Sequence, residues 1–440
     1  MTLAARLVGA LNQSEFQRRQ GRVVAFNGLA VEAEGPDAHI GELCEILRED
    51  GREPSPAQVV GFRKEHVLLM PYGDTGGLST RSLIRATGRA LDVPVGMPLL
   101  GRVVDAFCRP LDGKALNLKQ RYPLHSNPMN PLKRSEIDEI LETGVRSIDA
   151  LLTLGAGQRI GVFAGSGVGK STLLGMMARH VKADVTVLAL IGERGREVGD
   201  FIRHSLGDGG LQKSVVIAAT ADQPALVRTH AVHAAHSVAE YFRDQGKSVL
   251  LVVDSITRFA MAQREIGLAV GEPPTFRGYT PSVFGWLPRI AERCGRAGPG
   301  AITAVYSVLV EGDDMNEPIA DHMRAILDGH IVLSREMASR GHHPAIDVLQ
   351  STSRLLQSLA DPDQLSVASE VRRLLACYES SRDMIELGAH QRGTNLTLDR
   401  AIDAKPEIDA ILCQQPDRSY TRLDALNGLQ KAIAKGVAGA

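Results

Sequence analysis

The segment GVFAGSGVGKSTLL, residues 161–174, runs from an apolar lead-in through a glycine-rich turn to a Lys-Ser-Thr triplet and then into what reads as the first turns of a helix. That order builds a phosphate cradle. Gly165, Gly167 and Gly169, with Ser166 and Val168 between them, allow backbone angles closed to other residues and close approach of main-chain N–H groups. Those groups converge with a helix N-terminus on an anion. Lys170 is spaced to reach the β- and γ-phosphates of a nucleotide, the Ser171 hydroxyl to bind Mg²⁺, and Thr172 continues the helix start. Ala164 stands where the strict G-x-x-x-x-G-K-[ST] pattern has its first glycine. A residue entering the loop from a strand keeps negative φ and tolerates a methyl there.

Two carboxylates complete a candidate hydrolytic site. Asp254 ends the apolar run VLLVVD, the Walker B arrangement that holds Mg²⁺ or its waters, although a strand ending in Asp often does no more than cap the next turn. Glu193 follows the apolar run 188–191 within GERGREV, at the carboxyl end of another expected strand. A carboxylate there can position water in line with a γ-phosphate, with Arg194 and Arg196 balancing its charge; the alternative is a surface salt-bridge cluster. Arg258, four residues after Asp254, is expected in the turn after Walker B, facing the phosphates. Arg354 closes PAIDVLQSTSR, and an arginine that neutralises developing charge can come from a neighbouring subunit. By residue type alone, either arginine is equally a solvated surface charge.

These residues need a scaffold. Apolar runs at 160–163, 185–191, 214–219, 249–253, 301–308 and 329–333 alternate with helical stretches, which predicts strands buried on both faces of a parallel α/β sheet. Ligands in such sheets sit beyond the strand carboxyl ends, where the phosphate loop begins. Before this, short β-rich runs at 22–31, 40–47, 58–62 and 66–70 alternate with turn signals at 35–36, 54–56 and 73–77, which predicts a small β-barrel. After residue 356 the pattern is helical, as at 363–387 and 398–412. The expected segments are 1–20, 21–92, 93–356 and 357–440, the first carrying Leu3, Leu7 and Leu11 on one face of a short amphipathic helix.

A chain of 440 residues exceeds one ordinary core, and 44% hydrophobic with 23% charged residues describes a soluble globular protein. Five dispersed cysteines without Cys-x-x-Cys spacing suit a reducing compartment, and no apolar stretch approaches a membrane span, so a cytoplasmic location is expected. Lys and Arg total 50 against 51 Asp and Glu. That balance, with 4% aromatic residues, supplies neither a basic track nor stacking platforms for nucleic acid.

With these residues in hand, the chain resembles the ATPases of type III secretion systems, relatives of the flagellar export ATPase and of the rotary ATP synthase beta subunit. The likeness runs from about residue 21 to the C-terminus and is densest over 97–354, in the stretches ETGVRSIDALLTLGAGQRIGVFAGSGVGKSTLL, LIGERGREVGDFI, VVDSITRFAMAQREIG and GEPPTFRGYTPSVFGWLPRIAERCG. It implies a P-loop, RecA-like parallel-sheet core between an N-terminal β-barrel and a C-terminal helical domain. It implies ATP with Mg²⁺, Lys170 and Ser171 at the phosphate and magnesium positions, Glu193 as catalytic carboxylate, Arg194 and Arg258 facing the phosphates, and Arg354 as the finger donated across a subunit boundary. His343 departs from the tyrosine that relatives commonly place before Pro344, where the adenine packs. VEGDDMNEP, residues 310–318, resembles injectisome ATPases more than flagellar ones.

The resemblance further implies a homohexameric ring at the cytoplasmic face of the bacterial inner membrane. Its partners would be a stator, a central stalk, the export gate and chaperone–substrate complexes. A non-hydrolysing ring subunit is the first alternative, against which Glu193 argues because such subunits carry Gln there. An RNA-translocating ring is the second, against which the near-neutral charge argues.

Overall fold

Side-chain alternation at period two builds the N-terminal part of the chain. The computed structural model describes residues 19–48 and 53–438; the amphipathic helix expected at the N-terminus lies outside the described residues. Six strands, β1 (Gln20–Phe26), β2 (Val31–Glu34), β3 (Glu42–Leu47), β4 (Ser55–Arg63), β5 (His66–Pro71) and β6 (Leu83–Ala90), close into an antiparallel barrel in the order β1-β2-β5-β4-β3-β6. Strand β3 turns Cys44 and Ile46 inward and leaves Leu43, Glu45 and Leu47 partly exposed. Val23, Val31, Val59, Leu69 and Ile84 fill the rest of the interior.

The barrel expectation holds with three corrections. The run at 22–31 is two strands, because Asn27 Oδ1 accepts from the N–H groups of Leu29 and Ala30 and folds the chain into a turn between them. Pro56, expected in a turn, lies within β4, near its start. Strand β6 was not expected, since LIRATGRA has too few apolar residues to stand out, yet Ile84 and Ala86 alternate into the core.

Apart from two small two-stranded sheets and the short strand Gly295–Ala297 paired off its main path, eight further strands form one large sheet. They are β7 (Arg102–Val104), β8 (Arg159–Ala164), β9 (Val185–Ile191), β10 (Ser214–Ala219), β11 (Ser248–Asp254), β12 (Gly300–Leu309), β13 (Gly329–Leu333) and β14 (Ile346–Ser353), ordered β14-β13-β8-β12-β11-β9-β10-β7. Neighbours from β13 through β7 are parallel, as the doubly buried runs require. Two features differ from expectation. The short edge strand β7 is added, and β14 is antiparallel to β13, so its chain runs back toward the amino ends of the other strands.

Helices α1 (Arg146–Leu151), α2 (Lys170–His180), α3 (Gly195–Asp200), α4 (Ala225–Asp244), α5 (Ile256–Val270), α6 (Pro281–Ala291), α7 (Pro318–Ile326) and α8 (Arg335–Ser339) connect these strands. Beyond β14 come α9 (Pro362–Ser380), α10 (Leu396–Leu412) and α11 (Arg422–Ala438). The single helical stretch expected over 363–387 breaks at Ser381. Val371 and Leu375 of α9, Ile408 of α10 and Leu429 of α11 share one apolar core with Ile148 of α1 and Leu173 of α2. Gln364 ties α9 to α1, donating from Nε2 to the carbonyls of Asp149 and Ala150, each at 3.1 Å. Two compact units result. One holds the barrel with Pro224–Val227 and Ala262–Pro281; the other holds the sheet and the C-terminal helices.

Candidate active site

Strand β8 delivers Ala164 to the carboxyl edge of the sheet, where it pairs with Leu309 of β12 and Leu333 of β13. Ala164 is buried strand backbone, which is why its methyl is tolerated. The loop then turns through Gly167 at φ 80° and Gly169 at φ 93°, left-handed angles that favour glycine, and α2 starts at Lys170. Gly165 is constrained differently from expectation. It lies outside the left-handed region, but a Cβ there would come within 2.8 Å of both Arg335 Nη2 and Asp313 Oδ1, so the limit is space. Val168 is buried and anchors the loop, whereas Ser166, Ser171 and Thr172 are exposed at its rim.

Asp254 ends β11 at 3% exposure and is held from two sides: Ser307 Oγ donates to its Oδ1 at 2.5 Å, and the Lys170 ammonium pairs with the same oxygen. Lys170 Nζ also lies 3.9 Å from Glu193 Oε1. Glu193 follows β9 across Gly192, whose left-handed turn is fixed by its N–H donating to the Ala219 carbonyl at 2.7 Å. Burial pushes the Glu193 carboxyl up, to about 7; the Asp254 charge and a hydrogen bond with Glu197 add to this, while Lys170 and Arg258 oppose it. Glu193, Asp254 and Ser171 line one cavity of about 250 Å³, together with Glu197, Asp200 and His204. One hydroxyl and one buried carboxylate facing a cavity of that size suit Mg²⁺, which takes few protein ligands and completes its shell with phosphate and water. Among the described residues, no group of three or more His, Cys, Asp or Glu side chains could hold a metal alone.

The arginines divide. Arg258 lies in the first turn of α5 rather than in a turn after Asp254, and its aliphatic stem crosses Gly192, where an added Cβ would meet Arg258 Cβ at 3.0 Å. Its Nε is buried without a hydrogen-bond partner. Arg194 does not join the cluster: it precedes α3 on the surface, 85% exposed, and pairs with Glu197 at 3.7 Å. Arg354 is remote from its own phosphate loop. Ala164 is level with Leu333 and Ile346, whereas Ser353 pairs with Gly329 at the opposite edge of the sheet. The Arg354 N–H donates to the Asp328 carbonyl, and the Asp328 N–H to the Arg159 carbonyl, so five residues of β8 put Arg354 about 16 Å along the sheet from Ala164. It is exposed and has no ion-pair partner among the described residues.

His343 lines a second cavity, of about 570 Å³, on the other side of the loop, with Gly167, Gly169 and Thr172. Tyr420, under the Arg146 guanidinium at 4.0 Å from the ring centre, also lines it, as does Gln414, whose backbone N–H donates to the His343 carbonyl at 2.8 Å. Sequence reasoning missed Tyr420, Gln414 and Glu197. Glu197 could have been found as the residue one helical turn after Glu193; nothing local marks Tyr420, which reaches the cavity only through the packing of the C-terminal helices.

Three family models divide the chain. Residues 144–353 match the ATP synthase alpha/beta family nucleotide-binding domain, residues 23–88 its beta-barrel domain, and residues 360–431 the T3SS EscN ATPase C-terminal domain. A flagellum-specific ATP synthase of Bacillus subtilis is 51% identical over 414 residues, covering 93% of this chain and 94% of the relative. The chain belongs to the flagellar and type III secretion ATPase family. It is therefore an ATPase, with the barrel, sheet and helices of that family. A type 3 secretion system ATPase of Xanthomonas euvesicatoria is 47% identical over 91% of this chain and 91% of its own length. Among solved structures, the assembled ATPase EscN of the enteropathogenic E. coli type III secretion system superposes with a TM-score of 0.89 at 41% identity, covering 94% of this ATPase and all of EscN. EscN in complex with its central stalk EscO gives 0.86.

Proposed function

We propose that this ATPase works as a homohexameric ring whose sites lie between subunits, each phosphate loop receiving Arg354 from its neighbour. The observation that carries this reading is the register of β14, which leaves Arg354 at the sheet edge away from its own loop. Such a head-to-tail interface closes naturally into a ring, and EscN is described as assembled. In the reaction, Lys170 leaves Asp254 for the β- and γ-phosphates. Glu193, in the field of Arg258, aligns water with the γ-phosphorus and takes up its proton as a P–O bond forms to that water and the bond to ADP breaks. Arg354 stabilises the charge that develops. Mg²⁺, held through Ser171 and Asp254, with Glu197 in reach of its waters, would neutralise phosphate charge. Adenine occupies the His343 cavity.

The cycle would drive chaperone release, unfolding and export of proteins through a type III secretion system. Its partners would be a stator, a central stalk, the export gate and chaperone–substrate complexes at the cytoplasmic face of the inner membrane, without nucleic acid. The division at residues 20, 92 and 356 would assign barrel, catalytic and docking work. The central stalk is supported by the EscN–EscO complex; among the described residues, no helix is long and apolar enough to cross a membrane. The EscN-type C-terminal match supports the injectisome. The flagellar export apparatus is the second reading, favoured by the 51% identity to a flagellar relative.

Complementation tests the seam. Lys170→Ala and Arg354→Ala chains should each be inactive. Mixed in equal amounts, about one seam in four joins an intact loop to an intact arginine, and activity returns. A mixture as dead as its parents, or an active Arg354→Ala chain, overturns the reading.

A further inference from the structure

Besides Lys170, one more cation stands against the phosphate loop, and nothing above gives it a task. Strand β8 is flanked by β12 and β13, and the loops leaving those two strands meet over Gly165. From the β13 side comes Arg335, the first residue of α8, whose start is fixed by Ser334 Oγ accepting from the Met337 N–H at 3.3 Å. From the β12 side comes Asp313, held with Gly312 in left-handed backbone at φ 59° and 62°. Arg335 Nε lies 3.5 Å from Asp313 Oδ2, and one further atom of each, Arg335 Nη2 and Asp313 Oδ1, stands 2.8 Å from where a Gly165 methyl would be. The pair thus bridges the mouth of the loop at the carboxyl ends of the strands, where ligands of such sheets bind.

We infer that Arg335 is a further phosphate-binding side chain of this site and that Asp313 competes with the nucleotide for it. The inference rests on the reading that the loop takes a nucleotide polyphosphate. The magnitudes favour the exchange. The two side chains are 57% and 53% exposed, and an ion pair in water at that distance contributes little. A polyphosphate offers several negative charges and many oxygens matched to a guanidinium fork, against the single charge of the Asp313 carboxylate. The carboxylate therefore parks the guanidinium without trapping it. Binding would release Asp313 and the acidic turn that carries it, so the turn at 311–313 would register whether the loop is filled.

Titration with the non-hydrolysable analogue mant-AMP-PNP and Mg²⁺ tests this, because the two partners should act in opposite directions. Arg335→Ala should weaken binding about 3- to 10-fold, with Arg335→Lys restoring most of it. Asp313→Asn should tighten it by about 3-fold, since asparagine accepts left-handed backbone and only the competing charge is lost. Placed in the Arg335→Ala chain, Asp313→Asn should have no effect. If both single variants weaken binding, the pair is merely structural and the proposal fails. It fails equally if Arg335→Ala and the side-chain-length variant Arg335→Gln both bind like the parent. Lys170→Ala separates the underlying reading: binding that survives it means the phosphate loop is not the site, and the proposal falls with that reading.

Discussion

Glu193 sits in a surplus of negative charge, with Asp254 and Glu197 against Lys170 and Arg258, and burial pushes its carboxyl up to about 7. A folded value above the unfolded one means that the folded chain binds the proton more tightly. Stability from this group is therefore complete below about pH 4.5 and is lost as pH rises through 7. Glu193→Gln should stabilise the nucleotide-free chain by about 1–2 kcal/mol at pH 8, after screening of a partly open carboxylate, and hardly at pH 5. Urea melts at the two pH values read the difference; equal gains at both would assign the effect to packing. The same substitution should slow steady-state turnover about 100- to 10,000-fold while nucleotide still binds. Full turnover would remove Glu193 from the mechanism.

At the scale of elements, α4 carries a feature foreign to the phosphate site. It buries His230, His233 and His236 against Phe107, Phe259, Trp286 and Tyr306, and His125 meets His233 edge-on at 4.4 Å. The charged groups facing them are Arg293 and Glu240, which pair with each other at 2.8 Å; Cys294 lies beyond, its Sγ 3.3 Å from the Tyr306 hydroxyl. Burial holds His125 down to about 4, His230 and His236 to about 3, and His233 well below its ordinary value. The unfolded chain takes up protons first, so this stability is present above pH 6.5 and is lost as pH falls. Four such groups cost about 5 kcal/mol per pH unit, against a total of about 5–15 kcal/mol for a domain. The melting temperature should collapse between pH 6 and 5. His233→Phe should flatten that slope by about one proton, since the ring's Nδ1 has no partner to lose. An unchanged slope would clear the cluster of blame.

For the whole molecule, the β14 register puts the phosphate loop at one edge of the sheet and Arg354 at the other, and the proposed ring joins the two across a subunit boundary. Activity per chain should therefore rise with protein concentration and level off once rings form, which steady-state assays beside light scattering can follow. A demonstrably monomeric chain that hydrolyses at the plateau rate would end the shared-site model.

Much of this was legible in the residues. Strands β9, β10 and β13 fell where their near-continuous apolar runs lie, because a strand covered on both faces must be largely apolar. Lys170, Ser171, Glu193 and Asp254 were legible as strand-end and loop residues, and they converge because parallel strands deliver all their carboxyl ends to one edge. Illegible were β6, whose apolar positions are too few, and the solvent-facing course of Arg194, which depends on how α3 leaves the sheet. The phosphate cradle and the parallel core are thus properties of the sequence, since local glycine geometry and burial pattern suffice to specify them. Tertiary structure alone decided that Arg335 and Asp313 meet over Gly165, that Tyr420 walls the second cavity and that Arg354 turns away from its own loop. Those contacts join segments far apart in the chain, and only strand order and register set their distances.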